Sequence, residues 1–228
     1  MFTMRGPKLQ RLLALLVVRA NRIVPVETLV DELWSETPPR TAVPSVRTHV
    51  YHLRTSVRAI GELLVTEPSG YMLKADPDSI DSEVFTRRVK HAKELLAGER
   101  VEEASRTLRG ALAMWRGQPM ANVDAGPVLT RHAVQLREAR LIALQLRIEA
   151  DMLLDRHREL IGELKEMVAT DPYNEWFHAR LIDALNRSGR RREALGVFQS
   201  LRSKLSDELG VEPSEEVQRV HQEVLDPS

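Results

Sequence analysis

The chain contains 228 residues, of which 43% are apolar and 4% aromatic, with 33 basic and 33 acidic side chains and no cysteine. This length is sufficient for two domains, and the lack of cysteine excludes disulfide frameworks, thiolate nucleophiles and sulfur-ligated metals, in keeping with a reducing compartment. The longest apolar stretch is too short to cross a bilayer and no signal peptide is recognisable, so a cytoplasmic protein that does not contact membranes is expected.

The zero net charge conceals an uneven distribution along the chain. The first 75 residues hold 10 basic and 6 acidic side chains, and the remainder is acidic. Between Arg40 and Arg58 there are four arginines, two histidines and no acid. A basic stretch of this kind attracts phosphates. A solvated helix face gives the same pattern, so charge alone does not decide between the two interpretations.

Apolar residues at helical spacing predict two helices before residue 35. The first begins at Pro7, because proline is tolerated in a first helical turn. A short extended stretch at Ile23 and Val24 ends at Pro25, and a second helix follows that ends near Trp34. The buried faces are expected to consist of Leu9, Leu12, Leu13 and Leu16 in the first helix and of Val26, Leu29, Val30 and Leu33 in the second.

A third helix is predicted after the loop that contains Pro38 and Pro39, since adjacent prolines cannot continue a helix. Thr41 is a candidate N-cap, and Pro44 is tolerable in the first turn. The apolar stripe of this helix consists of Val43, Val46, Val50, Leu53 and Val57.

The face opposite this stripe is polar and basic. It carries Thr48, Tyr51, His52 and Thr55, with Arg47 and Arg58 on one flank and Arg54 nearer the core. Arginine can bridge guanine O6 and N7, threonine methyls can contact thymine, and histidine or tyrosine can donate to phosphates, so the face suits a major groove. We therefore predict that Arg47, Thr48, Tyr51, His52 and Thr55 read bases. A protein-binding helix would carry similar residues.

A hairpin is predicted after the third helix. Residues 63–66 and 71–74 form its strands, and the four-residue turn 67–70 ends in Gly70, which is free to take a positive φ. Three helices followed by a hairpin is the order of a winged helix-turn-helix. Residues 1–75 are therefore interpreted as a DNA-binding domain.

The chain beyond the polar turn Asp76–Ser79 shows only helical periodicity, so residues 80–228 are predicted to be all-α and the protein as a whole mainly α. Positions with similar residues recur at the tetratricopeptide spacing of about 34 residues. They are Leu160 and Ala194, Leu164 and Phe198, and Met167 and Leu201. We expect three helical pairs, with an imperfect repeat, that stack on one another and form a groove for a protein partner.

No motif for catalysis or cofactor binding is recognisable. The sequence has no Gly-rich phosphate loop, no His-Glu-x-x-His and no Gly-x-Ser-x-Gly. His91 and His178 each have a glutamate one turn away but no third ligand, and the basic surroundings of His49 and His52 would repel a cation. We therefore expect no cofactor, no metal and no enzymatic activity.

Five segments in this order carry a resemblance to a known family. They are Gly6–Leu16, Leu29–Trp34, Pro38–Pro39, Val46–Arg54 and Gly70–Leu73. Together they resemble the Streptomyces antibiotic regulatory protein family, and the resemblance covers nearly the whole chain. The family pairs an OmpR-type winged helix with a bacterial transcriptional activation domain, which is a tetratricopeptide-like bundle.

The resemblance implies a transcriptional activator of a biosynthetic gene cluster. It implies binding to direct repeats in double-stranded promoter DNA as side-by-side dimers, and recruitment of RNA polymerase through the σ subunit and its neighbours. The loop between helices two and three, which faces polymerase in such domains, corresponds here to Trp34, Glu36 and Arg40. The alternative for Trp34 is that it only fills the core.

The sequence departs from the family pattern in two places. Family members begin with a small N-terminal β-sheet, whereas six residues precede Pro7 here, so this sheet is expected to be absent or truncated. The hairpin lacks the arginines found beside Gly-Tyr in similar domains, so phosphate contacts are expected in place of minor-groove insertion. Lys74 and Tyr71 are the candidates in the hairpin, and Arg40, Arg54 and Arg58 are further candidates for phosphate contact. The alternative functions are a protein-binding scaffold with a degenerate winged helix and, ranked last, an enzyme of unknown type.

Overall fold

The computed structural model describes residues 6–56 and 58–226, and for residues 58 and 59 it describes the backbone alone. The protein is mainly α, as predicted. It consists of two compact units. The first comprises the chain up to Glu94 together with Thr107–Leu144, and the second comprises Leu95–Arg106 and the chain from Gln145 onward.

The first unit begins with a winged helix. Its elements are α1 (Pro7–Val18), β1 (Val24–Pro25), α2 (Val26–Trp34), α3 (Ala42–Ser56), α4 (Arg58–Leu63), β2 (Leu64–Glu67) and β3 (Gly70–Leu73). The strands form an antiparallel sheet in the order β1-β3-β2, in which Val24 lies opposite Tyr71 and Leu64 opposite Leu73. The predicted helices and hairpin are confirmed, and the short β1 completes the sheet.

The predicted apolar faces of α1, α2 and α3 meet in one core. It includes Leu12, Leu16, Leu29, Leu33, Val46, Val50 and Leu53. Val43 was predicted to belong to the stripe of α3 but is 42% exposed, and Ala42 is buried in its place. Val57 lies outside the described residues, as do residues 1–5, on which the expectation of a missing N-terminal sheet depends.

The hairpin differs from its prediction at both ends of the first strand. Leu63 is not in the strand but ends α4, a helix that was not predicted. The turn is shorter than expected, because Glu67 already pairs with Gly70. Gly70 does not use the predicted positive φ. Glycine is required there because a Cβ would lie 2.8 Å from the carbonyl carbon of Val24 in the neighbouring strand.

The chain after the sheet is helical. Following a 3₁₀ turn (Pro77–Ser79), the helices are α5 (Asp81–Ala97), α6 (Val101–Leu112), α7 (Pro127–Leu153), α8 (His157–Thr170), α9 (Glu175–Arg187), α10 (Arg191–Leu209) and α11 (Glu215–Leu225). The predicted 34-residue spacing is confirmed, since α8 begins at His157 and α10 at Arg191.

Three of the helix connections have the same turn. Glu99, Asp155 and Gly189 adopt φ values of 59°, 56° and 75°. In each case the next residue, an arginine, donates its backbone N–H to the carbonyl five positions earlier, at 2.8 to 2.9 Å. This is the bond that closes a Schellman helix end. The three turns join α5 to α6, α7 to α8 and α9 to α10, so these helices follow one another along the chain in three connected pairs.

The second unit contains a buried carboxylate, Asp151 on α7, which is fully excluded from solvent. It accepts hydrogen bonds from Ser105 Oγ at 2.7 Å and from Arg147 Nη1 at 3.2 Å, and Arg156 Nη1 lies 3.6 Å away. Arg147, itself buried, also pairs with Glu163 on α8. Because a buried charge is stable only when paired, this cluster holds α6, α7 and α8 in one arrangement.

Candidate nucleic-acid interface

The predicted base-reading residues lie on one exposed face of α3. Arg47, Thr48, Tyr51, His52 and Thr55 are all exposed, while Val46, Val50 and Leu53 on the opposite face are buried in the core. The helix therefore packs against the core with its apolar face and exposes its polar face to solvent, which is the arrangement that reading bases with a helix requires.

The two threonines of this face have their hydroxyl hydrogens engaged within the helix. Thr48 donates to the carbonyl of Pro44 at 3.1 Å, and Thr55 donates to that of Tyr51 at 3.1 Å. Each threonine thus retains its methyl group and a hydroxyl acceptor for an outside partner. A methyl group in this position suits contact with the C5-methyl of thymine.

Tyr51 is a strongly exposed aromatic side chain on this face. It is 63% exposed, and its ring stands edge-on to that of His52, with 5.8 Å between the ring centroids. Within the part of the chain that the structure describes, its hydroxyl has no hydrogen-bond partner. The pair therefore offers a phenol and an imidazole side by side to a ligand.

Arg54 forms hydrogen bonds within the winged helix. Its Nη2 donates to the carbonyl of Leu64 and to the hydroxyl of Thr66, both at 2.8 Å, and its Nε also reaches the Leu64 carbonyl. The guanidinium thereby ties α3 to β2. This arrangement favours a structural role for Arg54 over the predicted phosphate contact.

The other predicted phosphate contacts divide into three groups. Tyr71 is only 8% exposed and belongs to the apolar core, so its predicted contact is replaced by a packing role. Lys74, just after β3, and Arg40, just before α3, are exposed. The side chain of Arg58 lies outside those that the structure describes.

The loop between α2 and α3 holds the predicted polymerase contacts. Glu36 and Arg40 are exposed, whereas Trp34 is half-buried and packs against the core. Lys8 Nζ lies 4.4 Å from the centroid of the indole ring, a cation–π contact from α1. This packing favours the alternative interpretation, in which Trp34 fills the core.

His49 was predicted to belong with the basic face, but it is half-buried. Burial lowers the pKa of His49, and the nearby Lys8 and His52 lower it further. At neutral pH its imidazole is therefore uncharged. It adds no positive charge to the face of α3.

A buried carboxylate on α2 was not predicted. Glu32 on α2 is fully excluded from solvent and accepts backbone hydrogen bonds from Gly126 at 2.8 Å and Val128 at 2.7 Å. These amides form the N-terminus of α7, where the unpaired N–H groups and the helix dipole favour a negative charge. Gly126 is required, since a Cβ there would lie 2.8 Å from Glu32 Oε1. Sequence reasoning had no signal for this contact, because about 94 residues separate its partners.

Arg11 on α1 completes this contact and was also missed. Its Nη1 donates to the carbonyls of Glu32 and Leu33 at 3.1 and 3.3 Å, so it caps the C-terminal end of α2, and its Nη2 pairs with Asp124. We call Arg11, Glu32, Asp124 and Gly126 the α2–α7 clamp. Through it the segment before α7 is attached to two helices of the winged helix.

None of the helices in the described part of the chain is long and apolar enough to cross a membrane. No group of three or more potential ligands that could hold a metal ion occurs among residues 6–56 and 58–226.

Comparison with known proteins connects both parts of the chain to transcription. Residues 4–73 match the family "Transcriptional regulatory protein, C terminal", and residues 80–225 match the "Bacterial transcriptional activator domain". The regulatory protein DnrI of Streptomyces peucetius is 35% identical over 96% of this chain and 84% of its own length. The chain belongs to the Streptomyces antibiotic regulatory protein family. This regulator therefore has the domains of a DNA-binding transcriptional activator, as the sequence predicted.

Other relatives are longer than this regulator. It is 33% identical to the transcriptional regulator RedD of Streptomyces coelicolor, of which it spans 65%, and 32% identical to the regulatory protein AfsR of Streptomyces griseus, of which it spans 22%. Among solved structures, Mycobacterium tuberculosis EmbR in complex with a low affinity phosphopeptide aligns with a TM-score of 0.89 and 30% identity, over 96% of this regulator and 59% of that chain.

Proposed function

We propose that this regulator activates transcription of a biosynthetic gene cluster by binding promoter DNA with α3. The observation that carries the proposal is the exposed face of α3, on which Arg47, Thr48, Tyr51, His52 and Thr55 stand together. Arg47 has no ion-pair partner among the described residues, so its guanidinium is available to bridge guanine O6 and N7. The face offers donors, methyl groups and an aromatic edge, and it carries no acid.

The remaining parts of the proposal follow from the family. Residues 1–75 form the DNA-binding domain, in which Arg40, Arg58 and Lys74 contact phosphates. Residues 80–228 form the activation domain, which supports side-by-side dimers on direct repeats. Glu36 and Arg40 in the loop before α3 contact RNA polymerase. The regulator acts in the cytoplasm, and the proposal includes no catalytic step.

The test begins with selection of bound sequences from a random DNA library, followed by gel-shift titration of the selected sequence. We expect a spaced direct repeat. Arg47→Ala should weaken binding by about 5- to 150-fold and relax the preference at one base position. Arg40→Ala should instead weaken all sequences alike and lower the salt dependence by about one phosphate contact. The control is Arg192→Ala, because Arg192 is an exposed arginine on α10 and should bind as the unmodified protein does.

Two results would contradict the proposal. If binding does not fall steeply with rising salt, the chain does not neutralise phosphates, and the scaffold alternative gains support. If Arg47→Ala binds as tightly as Arg192→Ala, then α3 does not read the operator through this face.

A further inference from the structure

Two cavities adjoin in the first unit. One, of about 540 Å³, is lined by the end of α1, the turn after it, the start of α5 and the N-terminal half of α7. The other, of about 490 Å³, lies beside it, beneath the segment between α6 and α7. Val18 and His132 line both cavities, so the two form a continuous surface. Each volume is in the range of small-molecule sites, about 300 to 1,000 Å³.

The first cavity is strongly cationic. Arg19, Arg22 and Arg131 line it, opposed by a single acid, Glu83. Within residues 6–56 and 58–226, none of the three arginines forms an ion pair or a side-chain hydrogen bond. Three exposed guanidinium groups that line one concave surface, with Glu83 as the one opposing charge, form a site for an oxyanion, since arginine binds carboxylate, sulfonate and phosphate with paired N–H donors.

His132 lies where the two cavities meet and has an unused nitrogen. Its Nε2 is buried and has no hydrogen-bond partner among the described atoms. Burial and the nearby Arg19 lower the pKa of His132, and Glu83 opposes this effect, so the ring is neutral at pH 7. A buried polar atom without a partner is costly.

The second cavity is more apolar than the first and has an aromatic part. Phe85 and Trp115 stand edge-to-face there, with 5.3 Å between their ring centroids, and Met114, Met120 and Leu136 lie in the same lining. Its polar lining residues include Asp81, Ser82, Arg116, Gln118 and Asn122. Aromatic and methionine side chains accept flat organic groups, because their faces and polarisable sulfur atoms adapt to the ring surface. This lining differs from the charged lining next to it.

We propose that the two cavities together bind a small amphipathic organic anion, whose aromatic body occupies the cavity of Trp115 and whose oxyanion is held by Arg19, Arg22 and Arg131. This ligand site is additional to the DNA-binding function and rests on observations independent of α3. The segment that covers the aromatic cavity, residues 113–126, also supplies Asp124 and Gly126 to the α2–α7 clamp. Ligand binding under this segment therefore acts on its attachment to α1 and α2.

The experiment uses two fluorescent probes of similar shape and different charge. 1-Anilinonaphthalene-8-sulfonate carries an aromatic body and a sulfonate, and N-phenyl-1-naphthylamine is its uncharged counterpart. Fluorescence titration of the full chain should show one saturable site for the sulfonate per protein. The Arg19→Gln/Arg131→Gln double variant should weaken the sulfonate about tenfold or more and leave the neutral probe unchanged, because only the charged group loses its donors.

Two further variants keep the proposal falsifiable. Arg137→Gln removes an exposed arginine from the same helix, α7, outside both cavities, and should leave both probes unchanged. Met120→Glu should weaken both probes, and circular dichroism should show that it remains folded. Binding of many sulfonate molecules without saturation would indicate loosely packed apolar surface and would overturn the proposal. Equal losses in the double variant and in Arg137→Gln would overturn it as well.

Discussion

Replacement of Glu32 by alanine should destabilise the first unit by about 3 kcal/mol, because it leaves buried amides without an acceptor. Hydrogen bonds to a charged group contribute about 1.5 to 3 kcal/mol each, and Glu32 accepts two at 2.8 and 2.7 Å and a longer one, from Leu129, at 3.4 Å. The helix dipole adds up to about 2 kcal/mol in a buried site. The cost of burying the carboxylate, several kcal/mol, is absent from the variant and offsets part of this loss. Glu32→Gln should lose less, about 1 to 2 kcal/mol, since it keeps one acceptor.

Two measurements check this prediction. Urea unfolding gives the change in the free energy of unfolding, and amide hydrogen exchange reports on Gly126 and Val128 directly. Both amides should exchange faster in Glu32→Ala than in the unmodified protein. Asp31→Ala is the matched control, because Asp31 is the exposed acid next to Glu32 on α2 and should change stability by less than about 0.5 kcal/mol.

The reasoning would be refuted by a particular pair of results. If Glu32→Ala unfolds at the same urea concentration as Asp31→Ala, the hydrogen bonds to Glu32 contribute no net stability. If exchange at Gly126 is also unchanged, the N-terminus of α7 has another acceptor and the α2–α7 clamp does not exist in solution.

Three further predictions concern backbone approach, protonation and buried charge. Gly70→Ala should destabilise the protein by about 2 kcal/mol or more in thermal unfolding, because the new Cβ would overlap the backbone of Val24. Gly162→Ala should instead stabilise the protein by about 0.5 to 1 kcal/mol, because Gly162 in α8 has open space around it. An NMR titration should give His49 a pKa below the ordinary histidine value, and this pKa should rise in Lys8→Gln. Because the pKa of His49 is lower in the folded than in the unfolded protein, protonation of His49 reduces the stability of the fold as the pH falls. Arg147→Met should lower the free energy of unfolding, measured with urea, by about 3 kcal/mol, because it leaves the buried carboxylate of Asp151 with one fewer donor. An unchanged free energy of unfolding would contradict this pairing.

The helix α3 and its exposed polar face were predictable because their evidence is local. Alternation of apolar and polar residues over α3 places Val46, Val50 and Leu53 on one face and Arg47 and Tyr51 on the other, and helical geometry requires no further information. The same local rules misassigned the ends of elements. Val43 and Leu63 are apolar and at suitable spacing, yet both are exposed, because the burial of an end residue depends on what lies opposite it.

The functions of single polar residues depended on partners distant in sequence. Arg54 and Tyr71 are chemically suited to phosphate, but the structure engages Arg54 with β2 and buries Tyr71 in the core. Neither outcome can be deduced from the residue type, since an arginine binds whichever acceptor folding brings near it. Glu32 shows the same limit, because an acid on α2 gives no sign that it will meet the start of α7.

The sequence by itself determined the class of fold, the order of the winged-helix elements, the 34-residue helical repeat and the family. All four depend on periodicity, turn residues and motif order, which are properties of neighbouring residues. Only the tertiary structure decided which polar side chains remain available on the surface, which are used in the α2–α7 clamp and the Asp151 cluster, and where two cavities adjoin. These features depend on contacts between segments far apart in the chain, and such contacts exist only once the apolar faces have packed.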